Sequence, residues 1–120
     1  NPDGLKDFHK EIADQVAACK SKSIKALEKY LNSKPDVPPS LKAVTTYVYI
    51  REPALVAWAL KKANGICQSC GSKAPFKKTI DNTPYLEVHH CKPLSEGGFD
   101  NMDNVIALCP NCHREMHYGQ

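Results

Sequence analysis

Apolar residues recur at helical steps through the first part of the chain: Leu5, Phe8, Ile12, Val16, Cys19, Ile24, Leu27 and Leu31. Lys6, Asp7, Lys10, Glu11, Lys20 and Lys22 fill the intervals. This spacing gathers the apolar set on one face of an amphipathic helix, or of two short ones broken near Ser21–Ser23. Such a stripe suits packing within its own domain as well as a linker or dimerisation role. The Pro-rich stretch NSKPDVPPS (32–40) ends the pattern and reads as a linker. VTTYVYI (44–50) is β-branched and aromatic, the composition of a short strand. Next, Glu52, Pro53 and a closing Asn64-Gly65 bracket the apolar Leu55, Val56, Trp58, Ala59 and Leu60, predicting a helix over 53–63. Trp58 and Tyr47 read as core or interface residues.

Alternation takes over in PYLEVHHCKPL (84–94), where Leu86 and Val88 face one way and Glu87 and His89 the other. A polar loop with Gly97-Gly98 follows, then a second apolar strand, VIAL (105–108), and a helix that begins within ALCPNCHREMH (107–117). The expected organisation is α+β, with a helical arm and linker over 1–41 and a chemistry-bearing domain over 42–120.

At 120 residues the chain is long enough for one modest core. A net charge of +3 does not by itself demand a nucleic-acid partner. No apolar run reaches membrane length and no signal-peptide pattern is present. The chain begins at Asn1 without an initiator Met and is expected to be part of a longer protein.

The cysteines change the picture. Cys67 and Cys70 form one CxxC pair, Cys109 and Cys112 another. Gly65 and Gly71 flank the first, and Pro110-Asn111 lie inside the second, so both carry knuckle turn chemistry. Two knuckles supply four thiolates to one tetrahedral structural zinc, whereas disulfides would need an oxidising compartment. A reducing, cytoplasmic setting follows. Cys19 and Cys91 are left over and read as small hydrophobes.

The histidines add a second site. Neighbouring strand residues point to opposite faces, so His89 and His90 are suited to different tasks. His113 and His117 are one helical turn apart and point together. Cys112 and His113 diverge, and the four thiolates already fill one metal's coordination sphere. Two sites result: a closed one of Cys67, Cys70, Cys109 and Cys112, and an open one of His89 and His113, with His117 as a candidate third ligand. An open site leaves positions for water and substrate, the mark of catalytic metal. Glu87, on the face of His89, either braces a histidine or is exposed.

These residues carry a family resemblance. LEVHHCKPLSEGG with DNVIALCPNCHREMH resembles the cysteine-flanked HNH endonuclease motif, in the spacing from His90 to Asn104 and from Asn104 to His113. With YIREPALVAWALKKANGICQSCGSKAPF and NTPYLEVHH the pattern resembles the nuclease domain of McrA-like, modified-cytosine-dependent restriction endonucleases, over about 47–118. The resemblance implies a ββα-metal core braced by the four-cysteine zinc. It implies His89, His113 and His117 as ligands of one catalytic divalent ion (Mg2+, Mn2+, Ni2+, Co2+ or Zn2+), His90 as general base, and Asn104 as the residue that holds the loop and so orients His90. The implied partner is double-stranded DNA, cut by one active site per chain, with a homodimer or two binding events for both strands and a base-recognition domain upstream. Lys92 and Arg114 are candidate phosphate contacts, weighed against ordinary solvated charge. Other classes fit parts of the pattern: a zinc-braced nucleic-acid-binding module without catalysis, or a nuclease of a phage, homing or toxin system.

Overall fold

A computed structural model describes residues 3–120. The chain separates into two compact units, Asn1–Val48 and Tyr49–Gln120. Among the described residues, no helix is long and apolar enough to cross a membrane.

The first unit contains α1 (Gly4–Lys20) and α2 (Ile24–Ser33). The break falls where the serines sit. Ser21 closes α1, and the Ser23 hydroxyl accepts from the Ala26 amide to start α2. Neither helix has a buried residue, and Leu5, Ile12, Val16, Ile24 and Leu31 are all exposed. Cys19 is exposed too, which corrects its reading as a packed hydrophobe. The strand expected over 44–50 does not form; these residues are neither strand nor helix. A strand needs a neighbour for its ladder, and among the described residues the one backbone hydrogen bond in this stretch is from the Gly4 amide to the Thr45 carbonyl.

The second unit starts with α3 (Pro53–Ala63). The Glu52 carboxylate caps it by accepting from the Ala54 amide, and Asn64 closes it in the left-handed region at φ 50°. Its buried face is Leu55, Ala59 and Ala63; Trp58 lies outside the core. Strand β1 (Glu87–His90) pairs antiparallel with β2 (Val105–Leu108), placing His89 opposite Ile106 and His90 opposite Val105. Helix α4 (Pro110–Tyr118) follows β2 almost at once. Strand, strand and helix thus form a ββα unit, with α3 packed on it. The core is small: Ala63, Cys67, Leu86, Ala107 and Leu108.

Candidate metal-dependent active site

Strand β1 and helix α4 bring three histidines together. The ligand atoms available on His89, His113 and His117 all lie within 4.8 Å of one another. His89 stands edge-on to both helix rings, at centroid distances of 5.1 and 5.0 Å. The Nε2 atoms of His113 and His117 face each other at 3.1 Å, close enough to share one proton or one cation. His113 turns its Nδ1 to Glu87 Oε1 at 2.9 Å, and Tyr85 donates its hydroxyl to Glu87 Oε2 at 2.5 Å. Glu87 therefore fixes the tautomer of His113 and leaves Nε2 with its lone pair toward the cluster. The Tyr85 hydroxyl, then the imidazole of His113, hold the Glu87 carboxyl below its ordinary value. His89 is also lowered, first by burial and then by the charges of His113 and His117, which favours the neutral form that a metal ligand would need.

His90 points the other way, as alternation requires. It is buried, at 6% exposure, and its Nε2 meets Asp100 Oδ1 at 2.7 Å. The second oxygen of Asp100 accepts from the Glu52 amide at the start of α3, also at 2.7 Å. That amide first, and His90 second, hold the Asp100 carboxyl below its ordinary value.

Asn104 closes the loop between the strands. Its Oδ1 accepts from the Lys92 amide at 2.8 Å, while its Nδ2 donates to the carbonyls of Lys92 and Phe99 at 2.9 and 2.8 Å. Its own carbonyl accepts from the Cys91 amide at 2.9 Å. Asn104 thus pins both shoulders of the loop that presents His90 and Asp100 without touching the His90 ring itself. Gly97 takes φ 87°, and a Cβ on Gly98 would overlap the Lys92 carbonyl oxygen. Cys91, just past β1, is exposed; this corrects its reading as a packed hydrophobe.

The four knuckle cysteines also meet, with their sulfurs within 4.8 Å of one another. The first knuckle is tied to β2 by the Gln68 amide, which donates to the Ala107 carbonyl, and by the Gln68 side chain, which accepts from the Ala107 amide. Burial pushes the Cys67 thiol up, but the backbone amides of Cys109, Cys70 and Ser69 outweigh it and bring the group down to about 6. Neighbouring sulfurs, Cys109 first, push Cys112 up to about 12. Four thiols crowded this way ionise together only against a cation, and the donor set suits tetrahedral zinc.

A cleft of about 200 Å³ opens over His89, His90, His113 and His117, with Tyr49, Arg51 and Ser95 on its walls. Arg51 is a cation that motif reasoning missed, and Asp100 is a second omission. Of the two cations singled out from sequence, Arg114 lines a neighbouring depression with Glu87, His113 and His117 and lies over the Tyr118 ring. Lys92 is exposed and engaged through its backbone.

Residues 67–119 match the family described as HNH endonuclease. By this match, residues 67–119 are an HNH endonuclease domain. Over 73 residues it is 58% identical to the type IV methyl-directed restriction enzyme EcoKMcrA of Escherichia coli K12, a match covering 61% of this chain and 26% of that enzyme. It is 36% identical over 56 residues to Colicin-E8 of Escherichia coli, covering 46% of this chain and 27% of the colicin. Among solved structures the HNH domain resembles the type IV phosphorothioation-dependent restriction endonuclease ScoMcrA, with a TM-score of 0.51 and 36% identity, over 59% of this chain and 14% of that one. The chain therefore spans about a quarter or less of the length of these relatives.

Proposed function

We propose that this chain is the cleavage module of a McrA-like, modification-dependent restriction enzyme that hydrolyses phosphodiester bonds in double-stranded DNA. The observation that carries the reading is the pairing, in one cleft, of the open cluster His89, His113 and His117 with His90 on the opposite face of the same strand. A module that only bound nucleic acid would have no use for a histidine cluster open to solvent beside a buried, carboxylate-held imidazole.

His89, His113 and His117 would hold one divalent ion. When bound, that ion supplies positive charge to the scissile phosphate and the leaving oxygen. His90 takes a proton from the attacking water as neutral imidazole, a step worth on the order of 10²–10⁴ in rate. Asn104 holds the loop that presents His90, and Arg51 and Arg114 are the cations placed to meet backbone phosphates. Cys67, Cys70, Cys109 and Cys112 hold structural zinc, and four reduced thiolates suit a cytoplasmic setting. One cluster per chain cuts one strand. A second copy, docking through the uncovered apolar stripe of α1 and α2, supplies the other cut. Recognition of the modified base lies in a further domain.

A plasmid-nicking assay tests the reading. Zinc-loaded wild type should nick supercoiled DNA with Mg2+ or Mn2+ and not with EDTA. His90→Ala should lose about 10²–10⁴-fold with metal content and fold unchanged. Equal rates for the two proteins would refute the base assignment. Failure of zinc-loaded wild type to nick under any divalent ion, including on modified DNA and within the full-length protein, would favour a binding module.

A further inference from the structure

The contact between His90 and Asp100 was not legible as a motif, and it constrains the chemistry of the site. His90 is 6% exposed and sits in the ββα unit, while Asp100 comes from the loop between the strands, and their side chains meet at 2.7 Å. An ionised carboxylate has no proton to give, so His90 Nε2 must carry the hydrogen in this contact. Asp100 is itself held. Its other oxygen accepts from the Glu52 amide at 2.7 Å, at the N-terminal end of α3, where backbone partial charge favours an anion. No side chain other than Asp100 is hydrogen-bonded to the His90 ring among the described residues.

We infer that Asp100 is a positioning residue for His90, fixing the imidazole as the Nε2–H tautomer so that Nδ1 alone has the lone pair that accepts the proton of the attacking water. The inference rests on the nuclease reading for its catalytic consequence, but the tautomer it assigns exists in the resting protein. In the step, the water oxygen bonds to phosphorus as its proton moves to Nδ1, and the ester P–O bond breaks with its electron pair staying on the leaving oxygen, which takes a proton from solvent. The imidazolium formed there faces a carboxylate across Nε2–H, which stabilises the charge as it develops. Asp100 also ties that orientation to α3, so the base is anchored to two elements of the domain rather than to its own strand alone. Arg51, next in sequence to Glu52, is brought to the same cleft by this connection.

The test uses the zinc-loaded full chain with Asp100→Asn, Asp100→Ala, His90→Ala and the double variant His90→Ala/Asp100→Ala. Imidazole nitrogen NMR should show His90 of the wild type as the Nε2–H tautomer, and Asp100→Ala should mix or reverse it. In nicking with Mn2+, Asp100→Ala should lower kcat by roughly 10²-fold, within the span of the base itself, with KM for plasmid changed less than threefold. The double variant should be no slower than His90→Ala alone, because a residue that acts only through His90 has nothing left to position. Asp100→Asn keeps size and an acceptor oxygen, so it guards against simple misfolding; zinc content and melting should match the wild type while the tautomer shifts. An Nδ1–H tautomer in wild type, an unchanged His90 spectrum in both Asp100 variants, or losses that add in the double variant would overturn the assignment. A wild type that never nicks refutes the nuclease reading alone, and the NMR arm still decides between the two tautomers.

Discussion

Glu87 stands between a hydroxyl and an imidazole, and each contact does something different. The Tyr85 hydroxyl at 2.5 Å lowers the carboxyl most, and His113 Nδ1 at 2.9 Å lowers it further. Because the folded value lies below the ordinary 4.5, the stabilising contribution is fully present above about pH 4.5 and is lost as pH falls through the folded value. Glu87→Gln should therefore melt below wild type at pH 7, with the gap closing as pH is taken below 4.5; calorimetry at stepped pH reads it, and a gap independent of pH would contradict the ionised contact. The same variant should bind divalent ion in the histidine site roughly 10–100-fold more weakly, as loss of a partner behind a ligand does. How far such contacts are legible in sequence depends on their span. His113 and His117 are one turn apart, and His89 sits in an alternating strand, so local periodicity alone predicts their faces. Glu87 was visible as a candidate brace because it shares the His89 face. Asp100 and Arg51 reach the site from other segments, through a folded loop and the start of α3, and nothing in their immediate neighbours marks them.

The loop from Cys91 to Asn104 is the element on which the site depends. Asn104 bridges Lys92 and Phe99, and the chain can turn back so tightly because Gly98 lets the Lys92 carbonyl approach where a side chain would stand. A methyl at that position must displace backbone rather than a flexible tip. Gly98→Ala should cost about 1–3 kcal/mol of stability, measured by urea denaturation. It should also cut nicking by at least tenfold while three-histidine metal binding, read by isothermal titration, is kept. Wild-type stability and nicking in Gly98→Ala would show that the loop is not held in this conformation. Elements with punctuation of their own were legible: Ser23 before α2, Glu52-Pro53 and Asn64-Gly65 around α3, Cys109-Pro110 at the start of α4. Residues 44–50 have the composition of a strand without a partner to pair with, and pairing is a property of distant segments that composition does not encode.

At the scale of the molecule, Tyr49–Gln120 is held by very little apolar burial. Leu108 and Cys67 are its largest fully buried side chains, and Ala63 and Ala107 contribute little area each. A unit of this size needs a staple beyond such a core. The four thiols are placed to be that staple, because Cys67 follows α3, Cys109 and Cys112 open α4, and Gln68 ties the first knuckle to β2. One ion there joins three segments that otherwise share a handful of small side chains. Structural zinc binds such sites with roughly 10–16 kcal/mol, on the order of a small domain's whole stability. The two proposed metal sites should therefore separate in their response to metal removal. Brief EDTA treatment should strip the histidine site, abolish nicking and leave far-UV circular dichroism and melting unchanged, and added Mn2+ should restore activity. Displacing the thiolates with an organomercurial should release one zinc per chain, read by a colorimetric zinc indicator, and remove the cooperative melting transition of the second unit. Cys67→Ser or Cys112→Ser should reproduce that loss without any reagent. Retention of a sharp melting transition after the zinc has left would show that the small core suffices without the ion.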